Sequence, residues 1–410
     1  MIPSKIRTEE MGNLPASKLR ISDLFITLSR ALDMINTNIL FHSRKVAYIS
    51  LELGKEMGLK KELLNKVVLA ALIHDIGIRE NENKIEFQKN YLLEDKKVKD
   101  HCQRGYKLAG RLSFVPDMKD IILHHHHKWS GPNFNGVQGE DIPLPGRIIY
   151  LADRVDALLD RDQFILTQSP QIIKKIKKYA GELFDPEVVK NFVSLAKKEY
   201  FWLNINSRGF NNIIKEWGDE TQTGISLSNL EEIASLTADI IDRKSPFTSR
   251  HSTGVATIAS MITHDMGYDL AEQRAMRIAG LFHDLGKLMI PSKIIEKKDR
   301  LTEDEYNIVK QHPYYTYKLL NEIKGLGSIP HWAGFHHEKL DGSGYPFHLN
   351  EKYLDTGSKI MAVSDIFQAL TEERPYRPSF SMGEAVGMLE DMSKKGKLDY
   401  VIVKNLAEGI

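Results

Sequence analysis

Two pairs of adjacent residues, His283–Asp284 and His336–His337, stand with His251, His312 and Asp365 in a chain that carries 15 histidines. Neutral imidazoles and carboxylates are the usual ligands of Mn, Fe, Co, Ni or Zn ions. Neighbouring residues on a helix point about 100° apart. An adjacent His–Asp pair therefore converges only on something held between its side chains, and a metal ion fits that place. Seven ligands are too many for one tetrahedral ion and suit two octahedral ions that share Asp284. Two divalent ions about 3.5–4 Å apart activate water at neutral pH and stabilise both oxygens of an in-line displacement at phosphorus. Phosphate-ester hydrolysis is the expected chemistry.

The same set occurs earlier in the chain, in the same order: His42, His74, Asp75, His101, His125, His126 and Asp153. The offset drifts only from 209 (251 against 42) to 212 (365 against 153). Flanking text agrees in register. FHSRKVA (41–47) matches RHSTGVA (250–256), and ALIHDIG (71–77) matches GLFHDLG (280–286). ADRVDALL (152–159) matches SDIFQALT (364–371), and VVKNF (188–192) matches IVKNL (402–406). A period this long, held in register, is a duplicated domain.

The elements that position these residues read as helices. Ile21–Asn36, Lys61–Ile73, Leu227–Asp242 and Leu270–Phe282 carry apolar residues at three- and four-residue intervals, and strand-like alternation is scarce. Ser22 and Asp23 are candidate caps. The expected fold is all-α: two tandem helical bundles over residues 21–203 and 225–410, preceded by a tail, 1–20. The stretch 204–224, rich in Asn, Gly, Thr and charge, reads as the linker, with room for one short helix. Its 410 residues suit two or three domains. The 42% hydrophobic and 27% charged residues exclude a collagenous or disordered chain. A net charge of +1 points neither to nucleic acid nor to a membrane surface as partner. Lone Cys102 cannot form an internal disulfide, the first twenty residues lack an apolar core, and no run approaches a spanning helix of about 18 apolar residues. A cytoplasmic protein is expected.

HDLGK (283–287) followed by HHEKLDGSGYP (336–346) resembles the HD-GYP family of cyclic-dinucleotide phosphodiesterases, a branch of the HD metal-dependent phosphohydrolases. The resemblance covers essentially the second half. It implies two tandem HD-domain bundles, a centre of two or three divalent ions (Fe, Mn, Co or Ni), and hydrolysis of cyclic di-GMP to pGpG, with onward cleavage to GMP left open. His251, His283, Asp284, His312, His336, His337 and Asp365 become the metal ligands. Asp284 and Lys287 become the catalytic pair, with Lys287 on the scissile phosphate. Asp341, Gly342, Gly344, Tyr345, Arg374 and Arg377 become substrate contacts, because guanidinium forks suit phosphates and Tyr345 offers a ring for a base. Two departures stand out. Phe247 replaces a glutamate that supplies a third metal in some members, which implies a dinuclear centre. Gln368 replaces a frequent aspartate three residues after the last ligand.

The first half keeps all seven ligands, and so a second metal site. It has Ile78 at the lysine position, SGPNFNG (130–136) in place of the GYP loop, and no counterpart of RPYR (374–377). A regulatory or structural domain is expected there. Tandem HD domains also resemble members linked to cyclic GMP-AMP, so 3',3'-cyclic GMP-AMP is the alternative substrate. A receptor that senses cyclic dinucleotide or metal redox state with little turnover is the alternative of another class. Homo-oligomerisation and signalling partners are left open by the sequence.

Overall fold

The computed structural model describes residues 19–35, 41–79, 96–221, 223–244, 251–373 and 378–410. Among them there is no strand, and all regular structure is helical. The chain divides into two compact units, Arg20–Thr223 and Gly224–Ile410, the second joined by Leu19, whose carbonyl accepts from Ile225 N–H at 3.1 Å. No described helix is long and apolar enough to cross a membrane.

The first unit runs α1 (Ile21–Ile35), α2 (His42–Glu56), α3 (Lys61–Ile73), α4 (Lys96–Ala109), α5 (Met118–His124), α6 (Leu144–Ala157), α7 (Ile165–Lys178), α8 (Pro186–Leu195), α9 (Glu199–Asn206) and α10 (Phe210–Thr221). The second runs α11 (Leu227–Asp242), α12 (His251–Asp265), α13 (Leu270–Phe282), α14 (Ser292–Ile295), α15 (Glu303–Val309), α16 (Gln311–Leu320), α17 (Ile329–Gly334), α18 (Thr356–Thr371), α19 (Met382–Lys394) and α20 (Tyr400–Gly409). Each unit is built on the same five helices. In the first, α2 packs on α3 and α6, and α4 on α5; in the second, α12 packs on α13 and α18, and α16 on α17. The stretch expected as a linker differs. Residues 210–221 form α10, which buries Phe210, Ile214 and Trp217 and packs on α1 and α2 of the first unit. Its apolar residues recur at four- and three-residue steps, and that period outweighs the loop-like composition around it.

Local chemistry sets where the helices begin. Asp269 and Glu272 form a reciprocal capping box at α13. The first turn of α12 is capped by a neighbouring helix: Asp242, the last residue of α11, accepts the Ser252 hydroxyl at 2.7 Å and its N–H at 3.2 Å. Asp33 of α1 does the same for Ser43 N–H in α2, at 3.0 Å. Asp355 starts α18 by accepting Ser358 N–H and also takes the Trp332 indole N–H at 3.0 Å, tying α17 to α18.

The closest approach lies just past α13. A Cβ on Gly286 would sit 2.0 Å from the His312 carbonyl oxygen, and one on Gly77 would sit 2.1 Å from that of His101. Thr316 clips the same place, donating its hydroxyl to His283 O and receiving Gly286 N–H, both at 2.9 Å. Contact that close leaves no slack. Gly286→Ala should therefore lower the stability of the second unit by roughly 1–3 kcal/mol and weaken its metal retention, as read by thermal unfolding and metal analysis of the full chain.

Candidate metal centre

The histidines sit where helices end. His283 follows the last residue of α13, His336 follows α17 by two residues, and His312 lies just past α15 at the start of α16. Each donates Nδ1–H to the carbonyl three residues back: His283 to Gly280, His312 to Val309 and His336 to Ala333, all at 2.7 Å. A helix end leaves these carbonyls without intrahelical donors. The bond places the proton on Nδ1 and turns the Nε2 lone pair into the unit.

Those lone pairs face one another. Nε2 of His312 lies 3.2 Å from Nε2 of His336. Burial pushes His312 down to about 3 and His336 down to about 4, so both rings are neutral acceptors. Asp284 turns Oδ1 to His312 Nε2 at 3.4 Å and Oδ2 to His283 Nε2 at 3.1 Å. Asp365 Oδ1 lies 3.2 Å from His251 Nε2, and its Oδ2 lies 3.5 Å from Nδ1 of His337, a more exposed side chain. Burial works against charge on both aspartates, yet His283 and Lys287 beside Asp284, and His251 and His337 beside Asp365, hold them well below the usual carboxylate range. His283 Nε2 and Asp284 Oδ1 are buried and make no hydrogen bond. Facing lone pairs, ionised carboxylates and unbonded buried acceptors together need positive charge, and divalent cations fit that donor set. Donor atoms come within 4.8 Å of one another in the groups His312–His336–His337, His251–His283–Asp365 and His283–Asp284–His336. Every ligand expected in the second unit is thus brought together.

The first unit repeats the device. His74 donates Nδ1–H to Ala71 O at 2.8 Å and His125 to Ile122 O at 2.6 Å, and the Nε2 atoms of His101 and His125 lie 3.2 Å apart. Its groups are Asp75–His101–His125–His126 and His42–His74–Asp75. Asp153 Oδ1 lies 3.2 Å from His42 Nε2. The flanking His124 and His127 both bond the Asn135 amide, at 3.0 and 2.7 Å, and so hold the 130–136 loop.

The HD domain family matches the chain twice, over residues 39–158 and 235–402. The 3'3'-cGAMP-specific phosphodiesterase 1 of Vibrio cholerae serotype O1 is 31% identical over 402 residues, 94% of this chain and 92% of that protein. The chain belongs to the HD-GYP family of cyclic-dinucleotide phosphodiesterases. The cyclic di-GMP phosphodiesterase response regulator RpfG of Xanthomonas campestris pv. campestris is 34% identical over 171 residues, 41% of this chain and 44% of RpfG. The crystal structure of a cyclic GMP-AMP specific phosphodiesterase of V. cholerae, V-cGAP3, matches with a TM-score of 0.64 at 25% identity, over 95% of this chain and 97% of that one.

Around the HD-GYP ligands, three residues missed in the sequence do identifiable work. Glu372, at the end of α18, accepts from His251 Nδ1 at 3.1 Å. In the first unit Asp156 holds that place on His42, at 2.7 Å, while also accepting from Lys45. The position matching Asp156 is Gln368, and the one matching Lys45 is Gly254, where a Cβ would lie 2.3 Å from the Gln368 amide carbon. An ion pair in one unit is replaced by a close glycine–carboxamide contact in the other, and the carboxylate has moved one turn along the helix. Glu338 accepts Phe347 N–H at 2.7 Å and Leu349 N–H at 3.0 Å, pinning the GYP loop. Arg154 is the third, in the first unit, where it donates to Asp153. A carboxylate following a ligand by seven residues, and an arginine beside a ligand aspartate, were the available signals.

Of the expected substrate contacts, Tyr345 lies against the His337 ring with centroids 4.8 Å apart. Gly344 fits where a Cβ would come within 2.4 Å of the Glu338 Cα. Asp341 accepts from Ser343 N–H and hydroxyl at 2.9 and 2.6 Å, and Gly342 takes a φ of 75°. These three shape the loop itself. Lys287 Nζ lies 2.5 Å from Asp284 Oδ2. Arg374, Arg377 and Phe247 lie outside the described residues. Glu372→Ala should weaken metal retention by about 10–100-fold, the usual cost of losing a carboxylate behind a ligand histidine. Adding Gln368→Asp should restore much of it, measured by competition with a chelator. Recovery at a neighbouring position distinguishes orientation of His251 from bulk stability.

Proposed function

We propose that the second unit hydrolyses a cyclic dinucleotide with two divalent metal ions held by His251, His283, Asp284, His312, His336, His337 and Asp365. The observation that carries this reading is Asp284, whose two oxygens face two separate groups of imidazole Nε2 atoms. Fe, Mn, Co or Ni ions there would supply an activated water and neutralise charge on the oxygens of an in-line displacement at phosphorus. The rest falls to the chain's own residues. Lys287 is part-exposed and salt-bridged to Asp284. Its flexible stem lets the ammonium move from that carboxylate to a phosphate oxygen and balance the charge that develops in the transition state. Tyr345, fixed against His337, gives a flat wall for a purine. The loop of Asp341, Gly342 and Gly344 sets that wall, and Arg374 and Arg377 would clamp the phosphates.

The motif set supports cyclic di-GMP, cut to pGpG. The likeness that spans both units favours 3',3'-cyclic GMP-AMP, since the V. cholerae relatives matched over 90% or more of this chain carry that specificity in their names. The first unit, with ligands and without the lysine or GYP loop, serves as a metal-stabilised structural or regulatory domain. The reducing cytosol inferred from lone Cys102 is the compartment of such signalling.

Metal-reconstituted full chain should turn over at least one of these cyclic dinucleotides, resolved by product chromatography. His283→Ala with Asp284→Ala should abolish turnover and remove about two metal ions per chain. Full activity in that double variant would sink the reading, and tight binding without turnover in the native protein would favour the receptor. Lys287→Ala should keep the metal and lower kcat by about 10²–10³.

A further inference from the structure

The backbone that carries Lys287 is held by a second lysine. Leu285–Met289 is a 3-10 turn, with Lys287 N–H on Asp284 O at 2.8 Å and Ile290 N–H on Lys287 O at 3.0 Å. In such a turn a carbonyl accepts from the N–H three residues on. For Leu288 that residue is Pro291, which has no N–H to give. Leu288 is only 1% exposed, and a buried carbonyl without a donor is costly. Lys244 fills the place: its Nζ donates to Leu288 O at 2.7 Å, from 44 residues earlier in the chain.

Lys244 is well placed for this. It stands two residues past α11, half-buried, with its own N–H on Ile241 O at 3.0 Å, and α11 packs on the 3-10 turn. Thr316 clips the other end of the turn through His283 O and Gly286 N–H. The first unit shows what these holders accompany. In the register that pairs Asp33 with Asp242 and His74 with His283, Lys244 matches Ile35 and Lys287 matches Ile78. In the register of His101 with His312, Thr316 matches Gly105. The histidines and aspartates gather in both units, so gathering them requires neither lysine. The bond from Lys244 goes instead with the presence of Lys287.

We propose that Lys244 is a positioning residue: by holding Leu288 O it fixes the backbone from which Lys287 reaches the scissile phosphate. The inference rests on the proposed hydrolysis, in which Lys287 faces that phosphate. A lysine stem is flexible, so the place of its ammonium depends on how firmly its own backbone is anchored. Lys244 acts through that anchor and needs no contact with the substrate.

Metal-reconstituted full chain is compared with Lys244→Met, Lys244→Arg, Lys287→Ala and the Lys244→Met/Lys287→Ala double variant. The readouts are kcat on the cyclic dinucleotide, equilibrium binding of the linear dinucleotide pGpG, and metal per chain. Lys244→Met should keep its metal and lower kcat about 10-fold, or weaken binding by that factor where the native protein binds without turnover. Lys244→Arg, which can still donate to the carbonyl, should retain most of the native value. In the Lys287→Ala background Lys244→Met should cost less than about twofold, because its effect passes through Lys287. An equal loss in both backgrounds would overturn the positioning role, as would a fall in metal content or native behaviour in Lys244→Met. If Lys244→Met does not fold by circular dichroism, Lys244→Gln takes its place in the cycle. A native protein that neither turns over nor binds these dinucleotides would overturn the proposed hydrolysis, and this inference with it.

Discussion

Five imidazoles in this chain are fixed by one interaction, the Nδ1–H bond to a carbonyl three residues back. An imidazole in water rotates and exchanges tautomers freely. Here the unused acceptors of a helix end choose the tautomer, stop the rotation and leave one lone pair aimed inward. The lone pairs then face each other at 3.2 Å in both units. Such an arrangement gains nothing from burial on its own, since each acceptor gives up water without a donor in exchange. A cation at the focus turns that cost into binding energy. The short helices follow from this requirement: a ligand histidine of this kind needs a helix end, so a centre with several of them needs several ends at one place.

The residues gathered at the two centres were legible because adjacent His–Asp and His–His pairs are rare and occur twice in register. The helices were legible from apolar spacing. What escaped was whatever depended on a partner distant in sequence. Glu372 looks like one acid among several near a chain turn until folding sets it against His251, 121 residues earlier. Residues 204–224 have a loop's composition, and only the burial of Phe210, Ile214 and Trp217 makes α10 part of the first unit. The run His124–His127 could be aligned to its ligands, but the use of its outer two rings appeared only with the Asn135 amide between them.

The two units show which parts of the design are interchangeable. The residue after the second paired histidine pins the neighbouring loop in both, as His127 through Asn135 in one and as Glu338 through two backbone N–H groups in the other. The carboxylate behind the α2 or α12 histidine is kept too, but on a different turn of the helix. Chemistry that only has to orient a ligand tolerates such moves, because any rigid acceptor within hydrogen-bond distance will serve.

Charge placement tolerates less. Lys287, in a 3-10 turn and part-exposed, can change partners, because its stem is flexible and its head is wet. An arginine closed over by Tyr150 and Asp153 cannot, because leaving would strand a buried carboxylate at a cost of several kcal/mol. The charge at Lys287's position is thus free to rearrange, whereas the charge at Arg154's is fixed on Asp153. With Ile78 at the lysine position and Arg154 on Asp153, the charge beside the first centre is placed differently, while the geometry around Asp75 and its imidazoles remains that of its twin.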